Sequence, residues 1–308
     1  MAAPVWAPDI AIDAELASRL ISAQFPALDA RSVEPFAVGW DNAAFLVDGK
    51  TVFRFPRREL VADLIEREIA LLPQLAPRLP ARISTPTFIG ADSTDYPWSF
   101  AGYPLIAGRS AGSRALTDDE RVDLAQPLAR FLRALHTIDP TPFVAMGLPP
   151  DELKRFDHDL CLRRTDERLP TLSAAGHGDD LEEFTAWLRA HRPSPLEGSK
   201  RRIVHGDFYP RHIVLEADAR IAGVIDWGDI HLGDPAIDLA IAHLMLPSTA
   251  HQTFRNAYGL IDERTWTMAR YRAVYMAILV LDYGLRESDD EMVDIGSTAL
   301  RLMRDHVA

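Results

Sequence analysis

Three side chains in one short stretch have the types and spacing for phosphoryl transfer. Asp207 follows the β-branched pair Ile203-Val204, His212 stands five positions later, and Asp226 stands nineteen residues beyond Asp207. Moving a phosphoryl group needs a carboxylate to orient the attacking hydroxyl and one or two ligands to hold Mg²⁺ over nucleotide phosphates. Asp207 suits the first task; His212 and Asp226 suit the second. Each has a plain structural reading as well. His205-Gly206-Asp207 can be a turn with a satisfied acid, and Val224-Ile225-Asp226 can be the end of a hairpin strand. The joint spacing, rather than any one residue, points to catalysis.

Side chains of this kind need strands and turns to aim them, and the chain supplies these in two portions. Residues 9–23 carry a loose helical stripe (Ile12, Leu16, Leu20, Ile21). Two β-type runs, 36–39 and 44–47, precede the pair Asp48-Gly49, and Thr51–Phe55 follows it; an Asp-Gly pair between apolar runs predicts a hairpin. Residues 59–72 repeat apolar positions at helical spacing, with Pro73 expected to stop that helix. Strands are expected at 87–90 and 98–101.

Beyond Gly102–Gly108 the pattern turns helical. Thr117-Asp118-Asp119-Glu120 has the form of a capping box ahead of the stripe Leu124, Leu128, Phe131, Leu135, Ile138, in which Pro127 predicts a kink or a later start. Further helical patterns cover 151–168, 179–191, 234–246, 249–258 and 264–286. Only 203–226 looks β-rich, after a surface loop from Arg192 to Ser199. The acid run Glu287, Asp289, Asp290, Glu291 reads as an exposed loop.

Composition narrows the function classes. At 308 residues and 47% hydrophobic content the chain can bury a substantial core, in one large domain or two lobes. A single cysteine, Cys161, excludes a disulfide framework and a cysteine-rich metal site. No signal-like opening and no uncharged apolar run near about 18 residues is present, so the expectation is a cytoplasmic protein with no membrane contact. A formal charge of −12 argues against nucleic acid as a partner. The same acidity would suit a cationic substrate, or serve solubility alone.

His205-Gly206-Asp207 with His212, then Ile225-Asp226-Trp227-Gly228-Asp229 and Gly233-Asp234-Pro235-Ala236-Ile237-Asp238-Leu239, closely resembles the antibiotic phosphotransferases. These are the aminoglycoside and macrolide kinases that share the protein-kinase fold. The resemblance extends upstream to Gly39-Trp40-Asp41-Asn42, to Phe53-Arg54-Phe55-Pro56-Arg57-Arg58, and to the helix with Glu66 and Glu68. It implies an α+β, two-lobed, protein-kinase-like fold. Residues 1–102 would form a small mixed β-sheet lobe that binds nucleotide, and residues 103–308 a larger, mainly helical lobe for catalysis and acceptor binding.

The resemblance also assigns roles. Asp207 matches the catalytic base. Asp226 matches the metal-binding acid, assisted by His212, which stands where most of the superfamily has Asn. Asp229 is a weaker metal candidate or a cap, while Asp234 and Asp238 would tie the catalytic loop or complement a helix dipole. Arg54 occupies the phosphate-binding position where protein kinases have Lys, with Glu68, or else Glu66, as its partner; a guanidinium fork is chemically workable there. Arg57 and Arg58 could share that work or be solvated charges. No protein-kinase-type glycine-rich loop is present, so residues 39–42, with Asn42, are the only candidate turn over the phosphates. Phe100, Tyr103 and Leu105 mark the segment whose backbone would read the purine edge.

The implied cofactors are Mg²⁺ and GTP, or ATP, as donor. The implied acceptor is a macrolide antibiotic phosphorylated on the 2′-hydroxyl of its amino sugar by a monomeric enzyme. That reading rests on His212, which resembles the macrolide 2′-phosphotransferases in particular, on the aromatic-rich stripe 264–286, and on the acidity. An aminoglycoside acceptor remains open, as does a catalytically silent nucleotide-binding scaffold.

Overall fold

The Asp48-Gly49 pair turns the chain as its chemistry dictates. Both residues take left-handed φ values, 49° and 65°, and the Val47 carbonyl accepts from Lys50 N at 3.0 Å, the pattern of a type I′ turn. The computed structural model describes residues 9–38, 41–194, 196 and 200–304. Gly39 and Trp40, half of the turn expected over the phosphates, lie outside them. The chain divides into two compact units, Met1–Pro77 with Ile83–Ile106, and Arg78–Arg82 with Ala107–Ala308.

The first unit is built on an antiparallel sheet of five strands. In spatial order these are Val33–Val38, Asn42–Val47, Thr51–Pro56, Phe100–Pro104 and Phe88–Gly90. One face is an aromatic core in which Phe53, Phe55, Phe100 and Tyr96 are fully buried, and the rings of Phe55 and Phe100 stack at 4.5 Å. The helix Ala14–Gln24 covers that core with Ala17, Leu20 and Ile21; Asp13 caps it by accepting from Leu16 N. The helix Ala62–Leu75 buries Ile65, Leu71, Leu72 and Leu75, and with them Glu68. Pro73 does not stop this helix, which runs two residues further. So near the C-terminus, the one amide that proline withholds costs little.

The second unit is mainly helical. Thr117 and Glu120 form the expected capping box, and the helix Asp118–His136 runs through Pro127 without a break. Burial of Leu124, Leu128, Phe131 and Leu135 along one stripe outweighs the proline's lost hydrogen bond, an effect of roughly 3 kcal/mol. The helix Glu263–Glu287 packs along the helix Asp290–Met303.

The acid run between those two helices is a capped junction rather than a loop. Asp289 accepts from Met292 N and pairs with Arg211 at 2.7 Å, and Glu291 accepts from Ser110 Oγ. The stripe 264–286 is core: Trp266, Met268, Tyr271, Tyr275, Ile278 and Leu281 are all buried. Among the described residues no helix is long and apolar enough to cross a membrane.

Two short β elements lie within this helical body. Ile213–Leu215 and Ile221–Val224 form an antiparallel hairpin flanked by Arg109–Ser110, and Arg202–Val204 pairs with His231–Gly233. They carry the catalytic candidates.

Candidate active site

The strand Arg202–Val204 leads into His205-Gly206-Asp207, and this loop is pinned from several directions. His205 N and Gly206 N donate to the two carboxylate oxygens of Asp238, at 2.7 and 2.9 Å. Asp238 is fully buried at the start of the short helix Ala236–Leu239. Burial alone would raise its carboxyl; its bonds to His136 and the Gly206 amide, with the nearby His205, outweigh that and hold it below the ordinary value. His136 Nε2 donates to Asp238 at 3.1 Å, with Tyr258 Oη 2.9 Å from Nδ1.

On the other side, the Gly206 carbonyl accepts from Arg155 Nε at 3.0 Å. Arg155 also pairs with Asp151 at 2.7 Å and Asp229 at 2.9 Å. Gly206 has φ 89°, and a Cβ there would collide with the Asp229 carbonyl, so only glycine fits. His205 is neutral. Its Nε2 donates to the Ile225 carbonyl, its Nδ1 accepts from Asp207 N, and burial pushes its pKa down to about 4.

Asp207 itself keeps 27% of its side chain exposed. Burial pushes its carboxyl up to about 6, against the pull of His212 and with help from the charges of Asp229 and Asp226. Pro210–His212 forms a single tight turn that brings the imidazole of His212 back over the loop. His212 Nδ1 lies 2.9 Å from the Asp207 carbonyl oxygen and 3.5 Å from Asp207 Oδ2. Its Nε2 lies 3.3 Å from Asp226 Oδ2. Asp226 follows the strand Ile221–Val224 in a left-handed conformation, φ 63°, which Asp tolerates better than most residues, and 47% of its side chain is exposed. One imidazole thus touches both acids singled out by spacing.

Asp229 does not join them, because Arg155 holds it. Asp234 pairs with Arg264 and accepts from Ala236 N.

In the N-terminal unit, Arg54 Nη1 donates to both oxygens of Glu68, at 2.9 and 3.1 Å, and Tyr103 Oη donates to Glu68 Oε2 at 2.6 Å. Glu68 is fully buried whereas Glu66 is exposed, so Glu68 is the partner. Arg58 is held by Asp41. Asn42 Oδ1 is buried and has no hydrogen-bond partner among the described residues, an acceptor able to meet a ligand's donor. Phe100 and Tyr103 sit inside the sheet rather than in an open linker: Phe100 pairs with Gly90, Tyr103 with Val52, and Leu105 N donates to the Lys50 carbonyl.

Spacing did not reveal Arg155, His136 or Arg272. Arg272 is buried, and its positive charge acts on Asp207. His136 and Arg272 lie on helices and Arg155 in a turn, all far from the motif in sequence, where a lone charge carries no signal.

Among the described residues no group of three or more His, Cys, Asp or Glu side chains is arranged to enclose a metal. Mg²⁺ does not require one, since it commonly takes one or two carboxylates and completes its shell with phosphate oxygens and water. A half-exposed Asp226 carboxylate fits that role. The pair's geometry fits a cation too. A carbonyl only accepts, so His212 Nδ1 carries the hydrogen. In neutral histidine Nε2 then turns its lone pair toward Asp226, an approach that a bridging cation or proton relieves.

Comparison with known proteins agrees with this architecture. A model of the phosphotransferase enzyme family matches residues 32–274. YcbJ of Bacillus subtilis (strain 168), itself described as an uncharacterized protein, is 23% identical over 275 residues, which is 82% of this chain and 83% of that protein. The GDP and kanamycin complex of APH(2″)-IIIa, an aminoglycoside 2′-phosphotransferase, is 25% identical with a TM-score of 0.71, covering 94% of this chain and 98% of that one. The apoenzyme of macrolide 2′-phosphotransferase MphH from Brachybacterium faecium is 25% identical with a TM-score of 0.61, covering 92% of this chain and 98% of that one.

Proposed function

The chain belongs to the phosphotransferase enzyme family, and we propose that it moves the γ-phosphate of a purine nucleoside triphosphate onto an antibiotic hydroxyl, first of all the 2′-hydroxyl of a macrolide amino sugar. The observation that carries this reading is the single imidazole of His212 lying 3.5 Å from Asp207 Oδ2 and 3.3 Å from Asp226 Oδ2.

In this reading residues 1–102, joined by Tyr103 and Leu105 at the boundary, supply the nucleotide-binding groups and the rest of residues 103–308 the catalytic and acceptor-binding groups. Asp207 accepts a hydrogen bond from the acceptor hydroxyl and orients it; a loose transition state asks little more of the base. Its raised carboxyl keeps it a better proton acceptor than an ordinary aspartate once ionised. Asp226, assisted by His212, would hold Mg²⁺, which would offset charge on the phosphate oxygens. Arg54 presents its fork to the nucleotide phosphates, steadied by Glu68 and Tyr103. Asn42 meets the phosphates and the backbone of the segment with Phe100, Tyr103 and Leu105 reads the purine edge, with GTP preferred over ATP.

His212 is the chief support for a macrolide, because the burial of the stripe 264–286 removes it as an acceptor surface. One observation favours a second reading, an aminoglycoside acceptor: at equal identity the kanamycin-bound neighbour has the higher TM-score, 0.71 against 0.61.

Purified protein with Mg²⁺, GTP or ATP, and separate panels containing erythromycin and kanamycin, read by the mass shift of the acceptor, tests both. Phosphorylated erythromycin supports the first reading. Phosphorylated kanamycin with untouched erythromycin transfers it to the second. Transfer to neither, with no nucleotide turnover, overturns the assignment.

A further inference from the structure

A cavity of about 450 Å³ lies within the C-terminal unit, and none of Asp207, His212 and Asp226 lines it. Its wall includes Arg114, Arg121 and Arg301, with Asp294 as its one acid and Thr298 as a hydroxyl. Asp294, Thr298 and Arg301 stand at i, i+4 and i+7 on the helix Asp290–Met303, so they share one face. Three guanidinium groups against one carboxylate is a strong local bias in a protein whose formal charge is −12.

The arginines differ in how they are satisfied. Arg114 is used structurally: it donates to the carbonyls of Glu216 and Ala217 and pairs with Glu120. Arg121 is only 8% exposed. It donates from Nη1 to the Met245 carbonyl, its Nε is buried without a hydrogen-bond partner, and among the described residues no carboxylate bonds to it. Arg301 is exposed and bonds to no acid among the described residues. Burial disfavours the charged form of Arg121 and the charge of Arg301 adds to that, while Asp118 and Glu120, near it without bonding to it, act the other way. A buried guanidinium with no carboxylate hydrogen-bonded to it among the described residues, beside a second guanidinium at an open cavity, gains from an anion that joins them.

We propose that this cavity binds a small oxyanion, a phosphate or carboxylate group, between the guanidinium groups of Arg121 and Arg301. Planar guanidinium forks match both classes of oxyanion through paired N–H donors. The volume leaves space beside the oxyanion for an organic body, and Thr298 offers that body a hydroxyl contact. Pro210 also lines the cavity. Its carbonyl accepts from Ser110 Oγ and Gly112 N, both at 3.2 Å, so a ligand seated here touches the segment that braces the turn carrying His212.

Calorimetric titration of the full chain with inorganic phosphate, and separately with citrate, tests the proposal. GDP and Mg²⁺ are kept present to occupy the phosphotransfer centre. At least one probe should bind with Kd of about 1 mM or tighter. The exposed-site variant Arg301→Ala should weaken that binding about tenfold while melting like the parent, and Arg121→Gln should abolish it. Binding of phosphate alone assigns the site to phosphate esters, and of citrate alone to carboxylates; either supports the proposal. Binding of neither probe up to about 10 mM overturns it. So does binding that Arg301→Ala leaves unchanged.

Discussion

His212 Nε2 stands 3.3 Å from Asp226 Oδ2 while its Nδ1 gives a hydrogen to the Asp207 carbonyl. The imidazole is thereby fixed in orientation from the Asp207 side and presents its other nitrogen to the Asp226 carboxylate. His212→Ala should raise the Mg²⁺ requirement and cut turnover by about 10²-fold, whereas His212→Asn, which restores an oxygen ligand, should stay within about tenfold of the parent. Magnesium titrations of turnover check this. An Asn variant no better than Ala, with the fold intact by circular dichroism, would reduce His212 to packing.

Asp207 gives a prediction with a definite sign. Its folded pKa of about 6 lies above the ordinary 3.8, so the native state holds this proton more tightly than the unfolded chain does. The stability it contributes is full below the unfolded value and is lost as pH rises through about 6. At neutral pH its ionised form therefore works against folding. Asp207→Asn should melt higher than the parent at pH 7.5, by roughly 2 °C, with the gain shrinking toward pH 4. Turnover should meanwhile fall by about 10³-fold or more. Melting curves across that range check the sign, and an Asn variant that melts lower at pH 7.5 contradicts it. In the parent, kcat/KM should decline as pH falls through about 6, as the base is protonated.

The Arg54–Glu68 pair separates nucleotide from acceptor effects. Glu68→Ala removes the buried carboxylate that accepts from the half-buried Arg54 guanidinium and the Tyr103 hydroxyl and should cost about 3 kcal/mol of stability. Arg54→Met should raise the nucleotide KM about tenfold and leave the acceptor KM alone. Steady-state kinetics with each substrate varied in turn decides it. Equal changes in both KM values would argue for a general loss of structure.

Asp238 touches neither reactant in the proposed mechanism, yet it accepts the amide hydrogens of His205 and Gly206 beside Asp207. Asp238→Ala should lower kcat by about 10²-fold with little change in either KM. Asp238→Asn, which keeps one carbonyl acceptor for those two amides, should fall in between. Loss of substrate affinity without loss of kcat would point away from loop positioning.

What the sequence made legible was local. The Asp48-Gly49 hairpin and the Thr117–Glu120 capping box depend on residues within one turn of each other, Asp207, His212 and Asp226 fall within twenty residues, and all reappear in space. The departures have long-range causes. Pro127 does not delay the helix start, because the buried stripe around it outweighs the lost hydrogen bond. The helix Asp290–Met303 starts behind an acid run that reads as solvated, because its cap partner Arg211 and the Glu291 partner Ser110 are distant in sequence. Arg155 and His136 reach the catalytic loop from 51 and 102 positions away from their partners Gly206 and Asp238. No pattern along the chain announces such ties. The stripe 264–286 had the composition of a ligand surface, but its burial makes it a wall of the core.

Gly206 sets how this loop behaves in time. Its amide is taken by Asp238, its carbonyl by Arg155, and the space beside its Cα by the Asp229 backbone. The loop has no small rearrangement open to it that keeps these bonds, so the amide hydrogens of residues 205 and 206 can exchange with water only when the surrounding helices open. Asp207 is then already in place before any ligand arrives. The temperature dependence of turnover should contain no contribution from ordering this loop.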